Sequence, residues 1–328
     1  MKTNIDMTAA EIGYLWSTYQ AETLKYCLLK YFDRIVEDPD IKKINTLTMN
    51  SVNGNITKLK EIFKYSNFPI PIGFKESDVM LDSKRLYTDP FILYFQWFVA
   101  KGNMNYGSLA INTIAREDIF NFYENFLSNS LKLLKDSREL LLAKGLWIRA
   151  PYIPLPKDVS FVKKESFLNG WLGVERPIAG IEIASVFYNL ITNSLGLSLM
   201  NSFIQVTKTK ELRDYFKRGK DIAEKHVRLM SERLNKENLP TPNTWNRGIT
   251  DSLESPFSEK LMLFFISFLN AQGISNYGNA VSNSIRHDIG IDFTRLAAEV
   301  SKFGEDGTEL LIKYGWFECP PKAMEYQS

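Results

Sequence analysis

The sequence carries one short pattern twice, as Gly102-Asn103-Met104-Asn105-Tyr106-Gly107 and as Gly273-Ile274-Ser275-Asn276-Tyr277-Gly278. The two copies lie 171 residues apart, and the same offset places Asn67-Phe68-Pro69 on Asn238-Leu239-Pro240. After a one-residue slip, residues 139–145 match residues 309–315. A repeat of this length is a whole domain, because solenoid units usually span about 20–50 residues. The chain is therefore predicted to contain one domain twice.

Bulk composition narrows the classes of protein that the chain can belong to. A formal charge of +2 over 328 residues gives no basic footprint for nucleic acid. The two cysteines, Cys27 and Cys319, lack partners at metal spacing, which favours a reducing compartment. The start of the chain lacks the apolar run of a secretory signal. The most apolar runs, 91–100 and 261–269, are about half as long as a membrane span, so we expect a cytoplasmic protein without one.

Hydrophobic periodicity predicts four long helices in each half. Thr8 and Glu11 form a capping-box pattern at the start of the first helix, and Gly145 and Gly315 are natural caps after the last helix of each half. Strand signals are sparse. The predicted helices span about 8–35, 39–66, 88–114 and 116–144, then 179–205, 208–236, 256–284 and 287–314.

The loop between the second and third helices is long in each half, and it carries an aromatic residue at the same place, Phe74 or Trp245. We expect each aromatic side chain to hold the loop against the bundle. Two short connections and one long crossover describe a ferritin-like four-helix bundle. The predicted fold is all-α, with two tandem up-down bundles at 1–154 and 178–328, joined by a packed linker at 155–177.

A ferritin-like bundle raises the possibility of a di-metal site, which needs inward glutamates and two Glu-x-x-His pairs. The chain has two histidines, His226 and His287, and neither follows a glutamate at that spacing. The aligned Glu11 and Glu182 lie in first helical turns, where a carboxylate stabilises the helix end. We read His226 as a tolerated polar helix position and His287 as part of a solvated helix start. We therefore predict no metal, no cofactor and no catalytic residue.

The repeated Asn-Tyr-Gly pattern is the strongest local feature, because glycine inside a helix costs about 1 kcal/mol relative to alanine. One interpretation is close contact between helices, so that Gly107→Leu and Gly278→Leu would both destabilise the protein. The other is a small polar pocket beside the motif. The candidate contact residues are Gly102, Asn105, Tyr106 and Gly107, with Gly273, Asn276, Tyr277 and Gly278.

Several strings distributed over the chain carry a family resemblance. They are Lys144–Trp147, Pro151–Pro154, Thr250–Ser252, Ser255–Met262, Leu269–Ala271, Gly273–Gly278, Glu305–Gly307, Gly315-Trp316 and Pro320-Pro321. Together they resemble an uncharacterised family of spore-forming bacilli and their relatives, some members of which are labelled spore coat proteins. The resemblance covers nearly the whole chain. It implies tandem ferritin-like bundles, and it provides no activity or catalytic residues.

Two classes of function follow from these observations. The leading hypothesis is a non-enzymatic structural or assembly protein, associated with copies of itself or with other spore or coat proteins. Its location would be the cytoplasm, or in or around the spore. The alternative is a bundle that binds a ligand or metal, either as a binding module or as an enzyme. A co-purifying metal or small molecule would favour the alternative, and self-association would favour the first.

Overall fold

A computed structural model describes residues 5–171, 175–242 and 248–323. Within these ranges the chain forms eight long α-helices and two short 3₁₀ turns, and it contains no β-strand beyond two isolated bridges. The all-α prediction is therefore confirmed. The helices of the first half are α1 Ala9–Ile35, α2 Pro39–Tyr65, α3 Asp89–Ile111 and α4 Glu117–Ala143. Those of the second half are α5 Gly180–Val206, α6 Lys210–Lys236, α7 Glu259–Asn283 and α8 His287–Lys313.

The helix ends follow the capping chemistry of the sequence. The Thr8 hydroxyl accepts a hydrogen bond from the Glu11 N–H at 3.2 Å, and the Glu11 carboxylate accepts from the Thr8 N–H at 2.7 Å. Gly145 and Gly315 adopt φ values of 66° and 68°, the left-handed conformation that glycine permits after a helix. The largest differences from the predicted boundaries are three residues, at the end of α3 (Ile111) and at the start of α7 (Glu259).

The chain divides into two compact units. The first unit comprises Met1–Trp147, Gly248–Met262 and Leu311–Ser328. The second unit comprises Ile148–Arg247 and Leu263–Leu310. Two segments of the second sequence repeat therefore group with the first bundle, a division that the repeat pattern alone does not indicate.

The first unit is built on α1–α4, with α1 packed on α2, α3 packed on α4, and α2 in contact with both α3 and α4. Its interior is unusually rich in aromatic rings. The rings of Tyr87 and Phe91 stack with their centroids 4.5 Å apart. Burying large aromatic side chains removes much apolar surface from water, which is the main stabilising contribution to such a core. The largest fully buried side chains there are Tyr31, Phe32, Phe63, Tyr87, Phe91, Phe95, Tyr123 and Phe257.

The long crossover between α2 and α3 pairs in antiparallel fashion with residues 248–258. The bridges join Val79 to Phe257 and Tyr87 to Ile249. Met80 donates its N–H to the carbonyl of Pro256 at 2.8 Å. Thr88 donates its N–H to the carbonyl of Gly248 at 3.1 Å, and Thr250 donates to that of Leu86 at 2.9 Å, so backbone hydrogen bonds join the two segments.

Tyr31 and Phe74 connect the crossover to the helices of the first unit. The Tyr31 hydroxyl donates to the Lys84 carbonyl at 2.7 Å, and its ring lies 5.3 Å from that of Phe257. Phe74 is buried, which confirms its predicted packing. The corresponding prediction for Trp245 lies outside the described residues.

The C-terminal tail also contacts the first unit. The Glu318 carboxylate accepts hydrogen bonds from the N–H groups of Ile72 and Gly73, at 2.9 and 3.2 Å, and from the Gln20 side chain at 2.7 Å. Charge-assisted hydrogen bonds of this kind are stronger than neutral ones. The tail is thus fixed to the crossover by one side chain.

The second unit has α5 packed on α6, and both lie against parts of α7 and α8. Its core is more aliphatic than that of the first unit. The cluster consists chiefly of Ile183, Val186, Leu190, Met230, Leu234, Tyr277, Ile289, Phe293, Leu296 and Val300.

The segment between the repeats differs from its prediction. Leu155, Val159 and Phe161 are 90, 95 and 88% exposed, and Trp171 is 57% exposed. The prediction of a packed linker is therefore wrong for these side chains. Pro151, Pro154 and Pro156 lack backbone N–H groups and resist helix formation, which keeps this part of the segment extended.

Candidate functional site

The first unit contains a buried ion pair inside the bundle. Glu22 of α1 is fully buried, and its carboxylate pairs with the Lys25 ammonium one turn later. Asn55 of α2 donates to Glu22 Oε2 at 2.9 Å, and Lys25 donates to Asn103 Oδ1 of α3 at 2.7 Å. The Lys25 ammonium also lies 5.5 Å from the centroid of the Phe126 ring. A buried charge needs such compensation, because desolvation of an unpaired ion costs several kcal/mol.

A cleft of about 130 Å³ opens beside this ion pair, between α2, α3 and α4. Asn55 and Asn103, which hold Glu22 and Lys25, form part of its wall. The remaining wall mixes hydroxyl, amide and apolar groups. Its main contributors are Thr48, Ser51, Val52, Phe126, Asn129 and Leu133. A concave site that combines polar and apolar side chains is typical of small-molecule sites.

The second unit has a different polar network at the equivalent positions. His226 of α6, which aligns with Asn55, is fully buried. Its Nδ1 lies 2.8 Å from the Tyr277 hydroxyl, and its Nε2 lies 3.1 Å from Glu299 Oε2. Tyr277 donates to Asn193 Oδ1 at 3.0 Å, and Asn193 aligns with Glu22. His226 is therefore part of a buried network, and its description as a tolerated polar position was wrong.

The direction of the hydrogen bonds fixes the tautomer of His226. The Asn193 amide nitrogen donates to the Asn189 carbonyl at 2.8 Å, so its oxygen faces Tyr277. The Tyr277 hydroxyl has one proton, which goes to Asn193, and its oxygen accepts from His226 Nδ1–H. A neutral imidazole then presents only a lone pair to Glu299. The contact between His226 and Glu299 becomes a hydrogen bond when the imidazole is protonated.

Burial has opposite effects on the two ionisable groups of this network. It lowers the pKa of His226, and this effect exceeds the rise caused by Glu299. Burial raises the pKa of Glu299, but the hydrogen bond from Lys225, joined by one from His226 when the imidazole is protonated, lowers it by more. The network therefore holds a carboxylate that Lys225 neutralises at 2.9 Å beside an imidazole that favours its neutral form.

In the first repeat the Asn-Tyr-Gly motif lies on α3, away from the ion pair. The half-buried Tyr106 contacts the Tyr14 ring, at a centroid distance of 5.4 Å, and burial raises its pKa to about 12. Gly102 and Asn105 are half-buried, and the Asn105 carbonyl accepts from the Ser108 hydroxyl. A Cβ atom added at Gly107 would lie 2.9 Å from Leu127 Cδ2, so this glycine faces a close neighbour.

In the second repeat the same motif reaches the polar network. Tyr277 is buried, and burial raises the pKa of its hydroxyl. Asn276 is also buried, and its Oδ1 has no hydrogen-bond partner among the described residues. A Cβ atom added at Gly273 would meet only Val300 Cγ1, at 3.9 Å. One added at Gly278 would meet nothing within 4 Å. The close helix contact predicted at Gly278 is therefore absent, because this glycine faces outward on α7.

Glu11 and Glu182 perform the same structural task in the two repeats. Glu11 Oε1 accepts from the Arg116 N–H at 2.8 Å, and Glu182 Oε1 accepts from the Arg286 N–H at 2.7 Å. Each carboxylate thus joins the start of one helix to the start of another, and these backbone hydrogen bonds lower its pKa despite burial. Neither carboxylate faces a second acidic ligand. Over residues 5–171, 175–242 and 248–323, no group of three or more His, Cys, Asp or Glu side chains could hold a metal ion.

The start of α8 combines an exposed and a buried residue. His287 is exposed, as expected for a solvated helix start. Asp288 is fully buried, and it pairs with Arg286 at 2.8 Å and with Arg233 at 2.6 Å. Its carboxylate therefore holds helices together and is unavailable to His287 as a catalytic partner.

One helix in the described part of the chain, α5, has the length and apolar composition of a membrane span. The sequence alone indicates residues 91–100 and 261–269 as the most apolar runs instead. In the most apolar part of α5, 61% of the residues are buried inside the protein, which is the pattern of a core helix.

Comparison with known proteins places the chain in a family. The profile of the family described as "Protein of unknown function (DUF3231)" matches residues 1–159 and again residues 166–328. The chain belongs to this family and contains its domain twice. Among curated proteins, none matches the chain significantly.

A solved structure is similar to part of the chain. It is that of "a putative spore coat protein" from Bacillus halodurans, with 20% sequence identity and a TM-score of 0.42. The match covers 46% of this chain and 98% of that chain.

Proposed function

We propose that the protein is a non-enzymatic assembly protein that associates with further copies of itself through residues 152–162, hereafter the exposed segment. The observation that carries the proposal is the exposure of Leu155, Val159 and Phe161, at 90, 95 and 88%. Apolar groups left in water are unfavourable by roughly 25 cal/mol per Å². Contiguous exposed apolar surface commonly marks an interaction site.

Two properties favour a second copy of the chain as the partner. The net charge of +2 over 328 residues provides little electrostatic repulsion between copies. Pro154 and Pro156 restrict the backbone of the exposed segment, so that less conformational entropy is lost on docking. The resemblance to a family labelled spore coat proteins makes the spore the proposed location.

The association can be measured on the full chain by analytical ultracentrifugation over a range of concentrations. The expected result is a mass that rises with concentration for the wild type. A variant with Leu155→Ser, Val159→Ser and Phe161→Ser is expected to remain monomeric. The matched control carries Leu109→Ser, Leu131→Ser and Ile312→Ser, at helix positions that are 57, 56 and 61% exposed, and should associate like the wild type.

Two results would contradict the proposal. A wild-type protein that stays monomeric at every concentration would exclude self-association. Equal association of the wild type and the Leu155/Val159/Phe161 variant would exclude the exposed segment as its cause. The location is tested separately by fluorescence microscopy of a fusion in sporulating cells, where a uniform cytoplasmic signal would argue against the spore.

The rival function, a ligand- or metal-binding bundle, is favoured by one observation, the cleft beside the ion pair of Glu22 and Lys25. Elemental analysis of the purified protein tests the metal version, since a stoichiometric metal would require a site that the assembly proposal does not include.

A further inference from the structure

At two positions around the cleft of the first unit, the side chains are smaller than their equivalents in the second unit, and at a third the second unit has glycine. Ile44, Thr48 and Leu133 align with Tyr215, Gly219 and Phe303. In the second unit the rings of Tyr215 and Phe303 stack with centroids 4.3 Å apart. The Phe303 ring approaches so closely that a Cβ atom at Gly219 would lie 2.6 Å from its Cζ. The same position is therefore an open cleft in the first unit and is filled by aromatic side chains in the second unit.

Three polar side chains of the cleft already donate hydrogen bonds within the protein. The Thr48 hydroxyl donates to the Ile44 carbonyl at 2.8 Å, and the Ser130 hydroxyl donates to the Phe126 carbonyl at 2.7 Å. The Asn55 amide nitrogen donates to Glu22. These three side chains can still accept hydrogen bonds. Asn103, whose oxygen accepts from Lys25, and Lys132 add N–H donors to the wall, so a molecule whose groups both donate and accept hydrogen bonds is its complement.

The charges around the cleft are balanced. Glu22 is paired with Lys25 through Oε1 and accepts a hydrogen bond from Asn55 through Oε2, so its charge is already compensated within the protein. Lys132 and Asp136 add one charge of each sign to the cleft wall. A neutral ligand therefore fits better than an ion. Phe126, Val52 and Leu133 provide apolar surface for the carbon atoms of that ligand.

The volume limits the size of the ligand. An apolar cavity of about 150 Å³ accommodates benzene, which has six carbon atoms. The cleft of about 130 Å³ therefore has room for a molecule of similar size. We propose that the cleft between α2, α3 and α4 of the first unit binds a small neutral polyol with three or four hydroxyl groups. This site goes beyond the assembly function and does not depend on it.

The proposal is tested by saturation-transfer difference NMR on the full chain, with glycerol and erythritol as separate probes. Wild-type protein is expected to transfer saturation to both. The filling variant, with Ile44→Tyr, Thr48→Gly and Leu133→Phe, copies the second unit into the first and should reduce the transfer about tenfold. The control Leu109→Phe adds a ring at an exposed position of α3 and should leave the transfer unchanged.

A second variant keeps the proposal testable if the filling variant fails to fold. Thr48→Val conserves the side-chain volume and removes one acceptor, so the transfer should fall severalfold while the melting temperature stays close to that of the wild type. The absence of transfer from wild-type protein to either polyol would overturn the proposal. Equal transfer in a folded filling variant would do so as well, because binding would then lie elsewhere. Transfer to ethylammonium in place of the polyols would overturn the assigned chemical class.

Discussion

Gly107 and Gly278 occupy equivalent positions in α3 and α7 but have different surroundings. Leucine at position 107 would meet Leu127 and Phe126, since even a Cβ atom lies 2.9 and 3.1 Å from them. We expect Gly107→Leu to lower the free energy of unfolding by about 1–3 kcal/mol. Gly278→Leu should be neutral or stabilising by up to about 1 kcal/mol, because a better helix former replaces an exposed glycine. Thermal melts of the pair measure this, and an equal loss in both would contradict it.

His226 makes stability sensitive to acid. Its pKa in the folded protein lies below the ordinary value of 6.5, so the unfolded chain binds more protons in the window just below that value. The free energy of unfolding should therefore fall as the pH drops through this window. His226→Asn, which installs the first-repeat residue, should reduce that dependence. Chemical denaturation between about pH 5 and 8 measures it. His287→Asn is the matched control, since His287 is exposed, and it should leave the dependence unchanged.

Lys101 makes the stability of the protein depend on pH in a higher range than His226 does. Burial lowers the pKa of its ammonium from 10.5 to about 7. Between these values the unfolded chain binds more protons, so the contribution of Lys101 to stability should rise with pH by up to about 1.4 kcal/mol per unit. The difference between wild type and Lys101→Met in denaturant titrations at pH values from 7 to 9 isolates this contribution. A difference that does not change with pH, or one matched by the exposed Lys135→Met, would contradict it.

The sequence pattern indicates which polar side chains face the bundle interior more readily than it indicates which groups they contact. Leu15, Thr18 and Glu22 lie on one face of α1, so a carboxylate inside the bundle could have been found from the spacing. Lys25 could have been found as well, because residues three apart on a helix are neighbours, but Asn55 and Asn103 could not, because they lie on other helices. The same applies to His226, whose burial depends on the positions of Tyr277 and Glu299 on other helices.

At the scale of elements, the eight helices were predictable because apolar periodicity and capping residues act locally. The antiparallel pairing of residues 79–88 with 248–258 was not, since neither segment has the alternating pattern of a strand. The exposure of residues 155–162 was missed for a related reason. Apolar content indicates burial only when the backbone can form an element that packs. Pro151, Pro154 and Pro156 prevent this at the start of the segment.

Phe257 tests the importance of this pairing. Its side chain is 1% exposed, and its ring contacts Tyr31. We expect Phe257→Ala to lower the free energy of unfolding by about 3–5 kcal/mol, through lost burial and the cavity left behind. Phe317→Ala is the matched control, because Phe317 is 37% exposed and should contribute little. Chemical denaturation monitored by tryptophan fluorescence measures both, and similar losses would argue against a central role for the pairing.

For the whole molecule, a net charge of +2 and an apolar contact segment lead to an expectation about solution conditions. Association driven by apolar burial should change little when sodium chloride screens surface charges. Sulfate, which strengthens apolar burial, should increase it. Sedimentation in the two salts measures the difference. Dissociation in sodium chloride would instead indicate ion pairs between copies.

The composition of the first unit has a consequence for how the chain is made. Helices α1–α4 leave the ribosome first, yet Gly248–Met262 emerges only after the 100 residues that follow Trp147, and Leu311–Ser328 comes last of all. At about 5–20 residues per second, the nascent bundle waits roughly 5–20 s for the segment that covers Tyr31. During translation the edge of the crossover is open to any strand that reaches it, and a chaperone or a neighbouring nascent chain could occupy it before the rest of the polypeptide arrives.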